Sequence, residues 1–207
     1  MPLIDHVLVA VGDLGAAARD LRERHGLEAV EGGAHPGWGT ANRIVPLGAA
    51  YLELIAVDDP AVAEGNPFGR WVAQSAERGG CTGWVVASDD LDHDARRLGL
   101  EVEEASRRRP DGTLLRWRMA GRESMRGDRR LPALIDWPDP ERHPGRGASG
   151  GHAIAWLEVG GERTEIEHRV GSGELPLRYV EGVPGPRAVG VATPAGEVEL
   201  RPAAPAR

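Results

Sequence analysis

Two ionisable side chains lie inside apolar runs. His6 sits within Leu3-Ile4-Asp5-His6-Val7-Leu8-Val9-Ala10-Val11, and Glu53 within Tyr51-Leu52-Glu53-Leu54-Ile55. Short runs of this kind read as strands in a sheet interior. A buried charge or imidazole is costly unless it is paired, hydrogen-bonded or bound to a metal. An imidazole and a carboxylate on strands that can lie side by side therefore mark a candidate site. Each also has a plainer reading: His6 as a hydrogen-bonded core histidine, and Glu53 as the partner of Arg43 on a neighbouring strand.

A second group surrounds Gly32-Gly33-Ala34-His35-Pro36-Gly37-Trp38-Gly39, which reads as a loop. His35, Trp38, Thr40 and Asn42 in or after it suit the rim of a cleft, with Asn42 bonding a ligand and Trp38 covering its apolar part. Six tryptophans (38, 71, 84, 117, 137, 156) stand against one Phe and two Tyr. Most belong in the core, and Trp84 and Trp117 are the candidates for a cleft wall. Asp136, before Trp137-Pro138, reads as a turn acid. Arg107-Arg108-Arg109 precedes the turn Pro110-Asp111-Gly112 and reads as a solvated hairpin tip. Phosphate-loop, His-Glu-x-x-His and Cys-x-x-Cys motifs are all absent.

The elements that must hold these residues come in a repeated order. Residues 3–11 form a strand, and Asp13 caps a helix carrying Leu14, Ala17, Ala18 and Leu21 on one face, ended by Gly26. Strands near 27–31, 40–47 and 50–57 follow. A helix opened by Asn66-Pro67 leads to Gly79-Gly80, and then the order recurs. Residues 81–88 form a strand, Asp90 caps a helix, and strands follow at 101–106, 113–119 and 131–137. Gly26-Leu27-Glu28 echoes Gly99-Leu100-Glu101, and Asp13-Leu14 echoes Asp90-Leu91, as a duplicated unit requires. The reading gives a domain over 1–137 with modules 3–57 and 81–137, a linker over 138–150, and a third, weaker unit over 151–207.

The order of these marks, Ile4-Asp5-His6-Val7, Gly39-Thr40-Ala41-Asn42-Arg43, Tyr51-Leu52-Glu53-Leu54-Ile55 and Leu131-Pro132-Ala133-Leu134-Ile135-Asp136-Trp137, resembles the vicinal oxygen chelate superfamily, and within it the glyoxalase-like domain group. The resemblance implies an α+β fold of repeated βαβββ modules, with paired curled mixed sheets around a cleft and a third βαβββ-like unit at the C-terminus. It also implies a divalent metal held on the first and fourth strands of each module. Carried onto this sequence, the ligands are His6 and Glu53 in the first module and Asp136 in the second. There the first-strand position falls near Gly83, with Trp84 beside it, and offers no ligand. Zn, Mn, Fe and Ni are not distinguished by such a set. The implied chemistry is that of a metal-dependent lyase, isomerase or dioxygenase on a small organic molecule, with Glu53 or Asp136 as general base. The alternative is a metal-free protein of the same fold that binds or sequesters a small molecule.

Composition sets the remaining expectations. A net charge of −7 argues against a nucleic-acid surface, and no apolar run is long enough for a membrane span. One cysteine, Cys81, allows no intrachain disulfide and suits a reducing cytoplasm. The third unit needs a partner for its apolar face, and the reading favours a homodimer over docking on the first two modules.

Overall fold

The computed structural model describes residues 3–147, 151–171 and 174–201. The first module runs β1 (Leu3–Ala10), α1 (Leu14–His25), β2 (Val30–His35), β3 (Thr40–Leu47) and β4 (Ala50–Val57). Two helices, α2 (Pro60–Gly65) and α3 (Pro67–Arg78), lead to the second module. That module runs β5 (Cys81–Ala87), α4 (Leu91–Leu98), β6 (Val102–Arg108), β7 (Leu114–Ala120), α5 (Arg122–Gly127) and β8 (Ala133–Asp136). Asp13 and Asp90 cap α1 and α4 by accepting from the backbone N–H groups of Ala16 and His93. Of the Gly-rich segment 32–39, residues 32–35 lie in β2, and 36–39 form the turn to β3. The helix α5 was not foreseen, because Arg-Glu-Ser-Met-Arg-Gly carries too short an apolar pattern to read as one.

The eight strands close into a barrel in the order β1-β4-β3-β2-β6-β7-β8-β5. In each module the first strand pairs parallel with the last, β1 with β4 and β5 with β8. The modules join where β1 meets β5 antiparallel and where β2 meets β6. Side-chain alternation then sorts the residues. Val7, Val9, Leu52, Leu54, Trp84, Val86 and Leu134 belong to an outer core with α1 and α4. Leu8, Ala10, Ile55, Val85, Ala133 and Ile135 pack inside with Phe68, Trp71 and Val72 of α3. This is the α+β architecture of paired, strongly curled βαβββ modules.

After two short 3-10 turns, Pro140–Arg142 and Pro144–Gly147, the third unit runs β9 (Ala153–Gly160), α6 (Arg163–Val170), β10 (Leu177–Val180), β11 (Gly185–Thr193) and β12 (Gly196–Leu200). It keeps the βαβββ element order, but its strands lie β10-β9-β11-β12. Its first strand therefore pairs with its second and third. Glu199 sits on the edge strand, beside Arg201, and has no counterpart to the place of Glu53. Leu157, Val159, Val189, Val191 and Leu200 join the same core as Val9, Leu52 and Leu54. The third sheet thus covers its apolar face on the outside of the barrel within one chain. Val189 and Val191, with Val198 packed against them, are used in that internal core.

Candidate functional site

The cleft inside the barrel is lined by side chains from both modules and is narrow, with a cavity volume of about 50 Å³. Its polar groups come mainly from β1, β3 and β4. In the parallel pairing His6 lies opposite Tyr51, and Leu8 opposite Glu53, so all four face inward. His6 is 4% exposed and Glu53 8%. The His6 Nε2 atom is 3.7 Å from Glu53 Oε2. Tyr51 stacks on His6 with ring centroids 4.5 Å apart and an interplanar angle of 14°. Burial raises the Tyr51 phenol well above its ordinary range, so it stays protonated.

Each member of this pair is held by a neighbour. Asn42 Nδ2 donates to Glu53 Oε1 at 2.5 Å. Arg43 is not the partner, because the β3–β4 register sets it opposite Leu54, on the outer face. Behind His6, its Nδ1 lies 2.6 Å from Asp5 Oδ1, which leaves Nε2 toward the cleft. Asp5 also accepts from Trp137 Nε1 at 2.9 Å, and its Oδ2 lies 3.1 Å from His143 Nε2. Burial alone would push the Asp5 carboxyl up, but the hydrogen bonds from His143 and His6 outweigh it and bring it down to about 2.

His35 and Trp38 lie on the cleft wall, as does Trp117. The His35 Nδ1 atom is 3.1 Å from Thr40 Oγ1, and burial drives the imidazole down to about 4, so it is neutral. Trp38 is covered by the Arg122 guanidinium, 4.6 Å from its ring centroid, and Arg122 pairs with Glu103.

Two expectations fail on strand parity. Trp84 is fully buried but faces the outer core, where its Nε1 donates to the Arg130 carbonyl at 3.1 Å. Asp136 lies on the outside of β8 and pairs with Arg118 at 3.0 Å, while Ile135 faces the cleft. The inward positions on β5 and β8 are Gly83, Val85, Ala133 and Ile135, and none carries a donor. A Cβ on Gly83 would fall 2.9 Å from Met125 Sδ, so the thioether of α5 fills the space where a first-strand ligand would project. Among the described residues no three His, Cys, Asp or Glu side chains converge to hold a metal ion. His6 and Glu53 offer two of the three donors that the resemblance implies, and the residues present do not complete that set.

Several cleft residues escape sequence reading. Arg107 belongs to the cluster read as a hairpin tip, yet its side chain is 5% exposed and lines the cleft. The alternation of β6, with exposed Ser106 and Arg108 flanking buried Arg107, is the signal that could have found it. Asp5 and Tyr51 carry no sign of their roles, and His143 reads as part of the linker, because parity within a strand and contacts across a linker cannot be read from spacing.

The sequence matches the glyoxalase-like domain family over residues 4–170. The chain belongs to that family, and its paired modules are those of the vicinal oxygen chelate superfamily. Among solved structures it is similar to a hypothetical protein from Staphylococcus aureus, with 14% identity over 97% of this chain and 85% of the other, at a TM-score of 0.65. It is also similar to a Streptomyces coelicolor methylmalonyl-CoA epimerase variant in complex with 2-nitronate-propionyl-CoA, with 23% identity over 65% of this chain and 94% of that one, at a TM-score of 0.47. The methylmalonyl-CoA epimerase of Mycobacterium tuberculosis gives 22% identity, 64% and 84% coverage and a TM-score of 0.46. At these identities the likeness describes the fold alone. No match among curated proteins is found. No described helix is long and apolar enough to cross a membrane.

Proposed function

We propose that this protein is an enzyme that moves a proton on a small carbonyl compound bound in the barrel cleft, with Glu53 as the base. The supporting observation is the buried His6–Glu53 pair, 3.7 Å apart on the inner wall, each side chain held by its own partner, Asp5 or Asn42. A base has to be aimed and desolvated to act on a weakly acidic C–H bond, and the surrounding wall of Trp117, Phe68, Met119 and Ile135 excludes water. His6, with Nε2 toward the cleft, is placed to carry the proton to or from a second atom of the substrate. Removing and returning a proton at a carbon next to a carbonyl is chemistry of the isomerase and lyase classes. No step is routed through a metal, because the donors present fall short of the implied set.

The second reading, a binding protein, draws support from the apolar half of the cleft, where Met125, Val85 and Ile135 face the polar half. Solvent deuterium separates the two. The purified protein is incubated in D₂O with a panel of simple ketones, hydroxyketones and 2-oxo acids, and loss of the proton next to the carbonyl is followed by NMR. Catalysed exchange that falls at least about a hundredfold in Glu53→Gln supports the enzyme. Tight binding of panel members with no exchange makes the chain a binding protein. The single buried Cys81, whose thiol burial pushes up to about 12, suits a reducing cytoplasmic setting and takes no part in the proposed chemistry.

A further inference from the structure

Arg107 is the unexplained charge of the cleft. It is 5% exposed, its Nη1 atom is buried without a hydrogen-bond partner, and no carboxylate pairs with it among the described residues. Its neighbours Arg108 and Arg109 bond to the carbonyls of Gly112 and Arg142 at the surface, so the three arginines have separate surroundings. An unpaired buried guanidinium is costly, and a fold does not gain from keeping one. On β2, Gly33, at a φ of +131°, lets the β6 backbone approach closely, since a Cβ there would fall 2.4 Å from the Arg108 carbonyl oxygen. Glu53 and the protonated hydroxyl of Tyr51 line the same cleft, and the negative charge of Glu53 acts on Arg107.

We infer that Arg107 is the residue that holds the ligand's oxygen atoms, and that the ligand class is a planar oxyanion or a carbonyl compound that becomes one. This rests on the proton-transfer reading for its chemistry and goes beyond it in naming what receives the charge. When Glu53 takes the proton from the carbon next to a carbonyl, the C–H electron pair becomes the C=C bond. The carbonyl π pair moves to oxygen, and the product is an enolate beside a neutral Glu53. One negative charge thus passes from Glu53 to the ligand oxygen, and the guanidinium is the group positioned to receive it. Its planar fork suits two oxygens of one flat group, as an ammonium would not.

The test measures binding by titration calorimetry with two probes. Benzohydroxamate is planar and, once ionised, anionic with two oxygens; benzamide is its neutral counterpart with one. The parent protein is expected to bind benzohydroxamate at least about tenfold more tightly than benzamide, with EDTA making no difference. Arg107→Met is expected to lose the preference while folding at least as stably as the parent, because an unpaired buried charge has been removed. Arg107→Lys, which keeps charge but not the fork, is expected to lose most of the preference. Glu53→Gln is expected to keep or sharpen it, since a negative charge leaves the cleft, which separates this inference from the reading of Glu53 as base. Failure of deuterium exchange with the hydroxamate preference intact would refute the base and leave Arg107 standing. Equal or absent binding of the two probes, a preference abolished by EDTA, or a preference that survives in Arg107→Met would overturn the role given to Arg107.

Discussion

Asp5 and His6 are consecutive residues whose side chains meet, with Oδ1 2.6 Å from Nδ1. Neighbours on a regular strand point to opposite faces. The β1–β5 register explains the exception: Ile4 pairs with Val86 and His6 with Val85, so Asp5 is the extra residue of a β-bulge. Bulges re-aim side chains, and this one sets a carboxylate behind an imidazole in one strand. Replacing Asp5 with Asn is expected to cost about 1–3 kcal/mol in urea unfolding at pH 7, since buried donors lose a charged acceptor. The ring ¹⁵N shifts of His6 should change with it. A variant with unaltered stability and shifts would show that Asp5 does not position His6.

The glycine before Gly33 on β2 makes a prediction of its own. A Cβ on Gly32 would lie 2.1 Å from Asn42 Oδ1 and 3.1 Å from Ile44 Cγ1. Gly32→Ala is expected to destabilise the fold by about 1–3 kcal/mol and to loosen the Asn42–Glu53 bond. Adding Asn42→Ala should recover much of that loss, because the clash is with its amide. A double-mutant cycle reads the coupling, and additive effects would refute it.

His35 makes stability depend on pH. Its folded value of about 4 lies below the ordinary 6.5, so between those two values the unfolded chain binds more protons. Stability is therefore full above about pH 6.5 and falls as pH drops toward 4, by on the order of 3 kcal/mol. His35→Gln should flatten that slope. Urea unfolding at pH 7 and pH 4.5 in both proteins measures it, and equal slopes would remove His35 as the cause.

Asp136 and metal content can be tested together. Asp136 is paired with Arg118, which also bonds Asp92, on the outside of the barrel. Asp136→Asn is expected to change stability by less than about 1 kcal/mol. Protein purified without chelators is expected to carry less than one equivalent of divalent metal by elemental analysis, in parent and variant alike. A stoichiometric metal lost in Asp136→Asn would restore Asp136 as a ligand.

Truncation after residue 147 removes the sheet that covers Val9, Leu52 and Leu54. The shortened chain should therefore lose its near-ultraviolet circular dichroism or aggregate in size-exclusion chromatography. A well-folded, monodisperse product would show that the barrel does not need the third sheet.

The duplicated order β-α-β-β-β was legible because Asp caps, Gly stops and apolar runs each act over a few residues. His6 and Glu53 stood out because a polar residue inside an apolar run is conspicuous. Asp136 and Trp84 misled for one reason: in a run buried on both faces, such as Cys81 to Ala87, the pattern carries no parity. Register decides which face is the cleft, and a shift of one residue exchanges Asp136 for Ile135. Arg107 was hidden by company, since adjacent arginines resemble a solvated tip. His143 was hidden by distance, because nothing in a Pro-rich linker announces a contact with a residue 138 positions away.

Duplication gives two halves that begin alike, and here they have parted. Imidazole and carboxylate stand on one side of the cleft, and Met125, Val85 and Ile135 on the other. A flat molecule lying between them meets the carboxylate with one face and a thioether and alkyl groups with the opposite face. The two faces of a prochiral carbon are therefore unequal, and handedness in any product follows from which half kept the imidazole and the carboxylate.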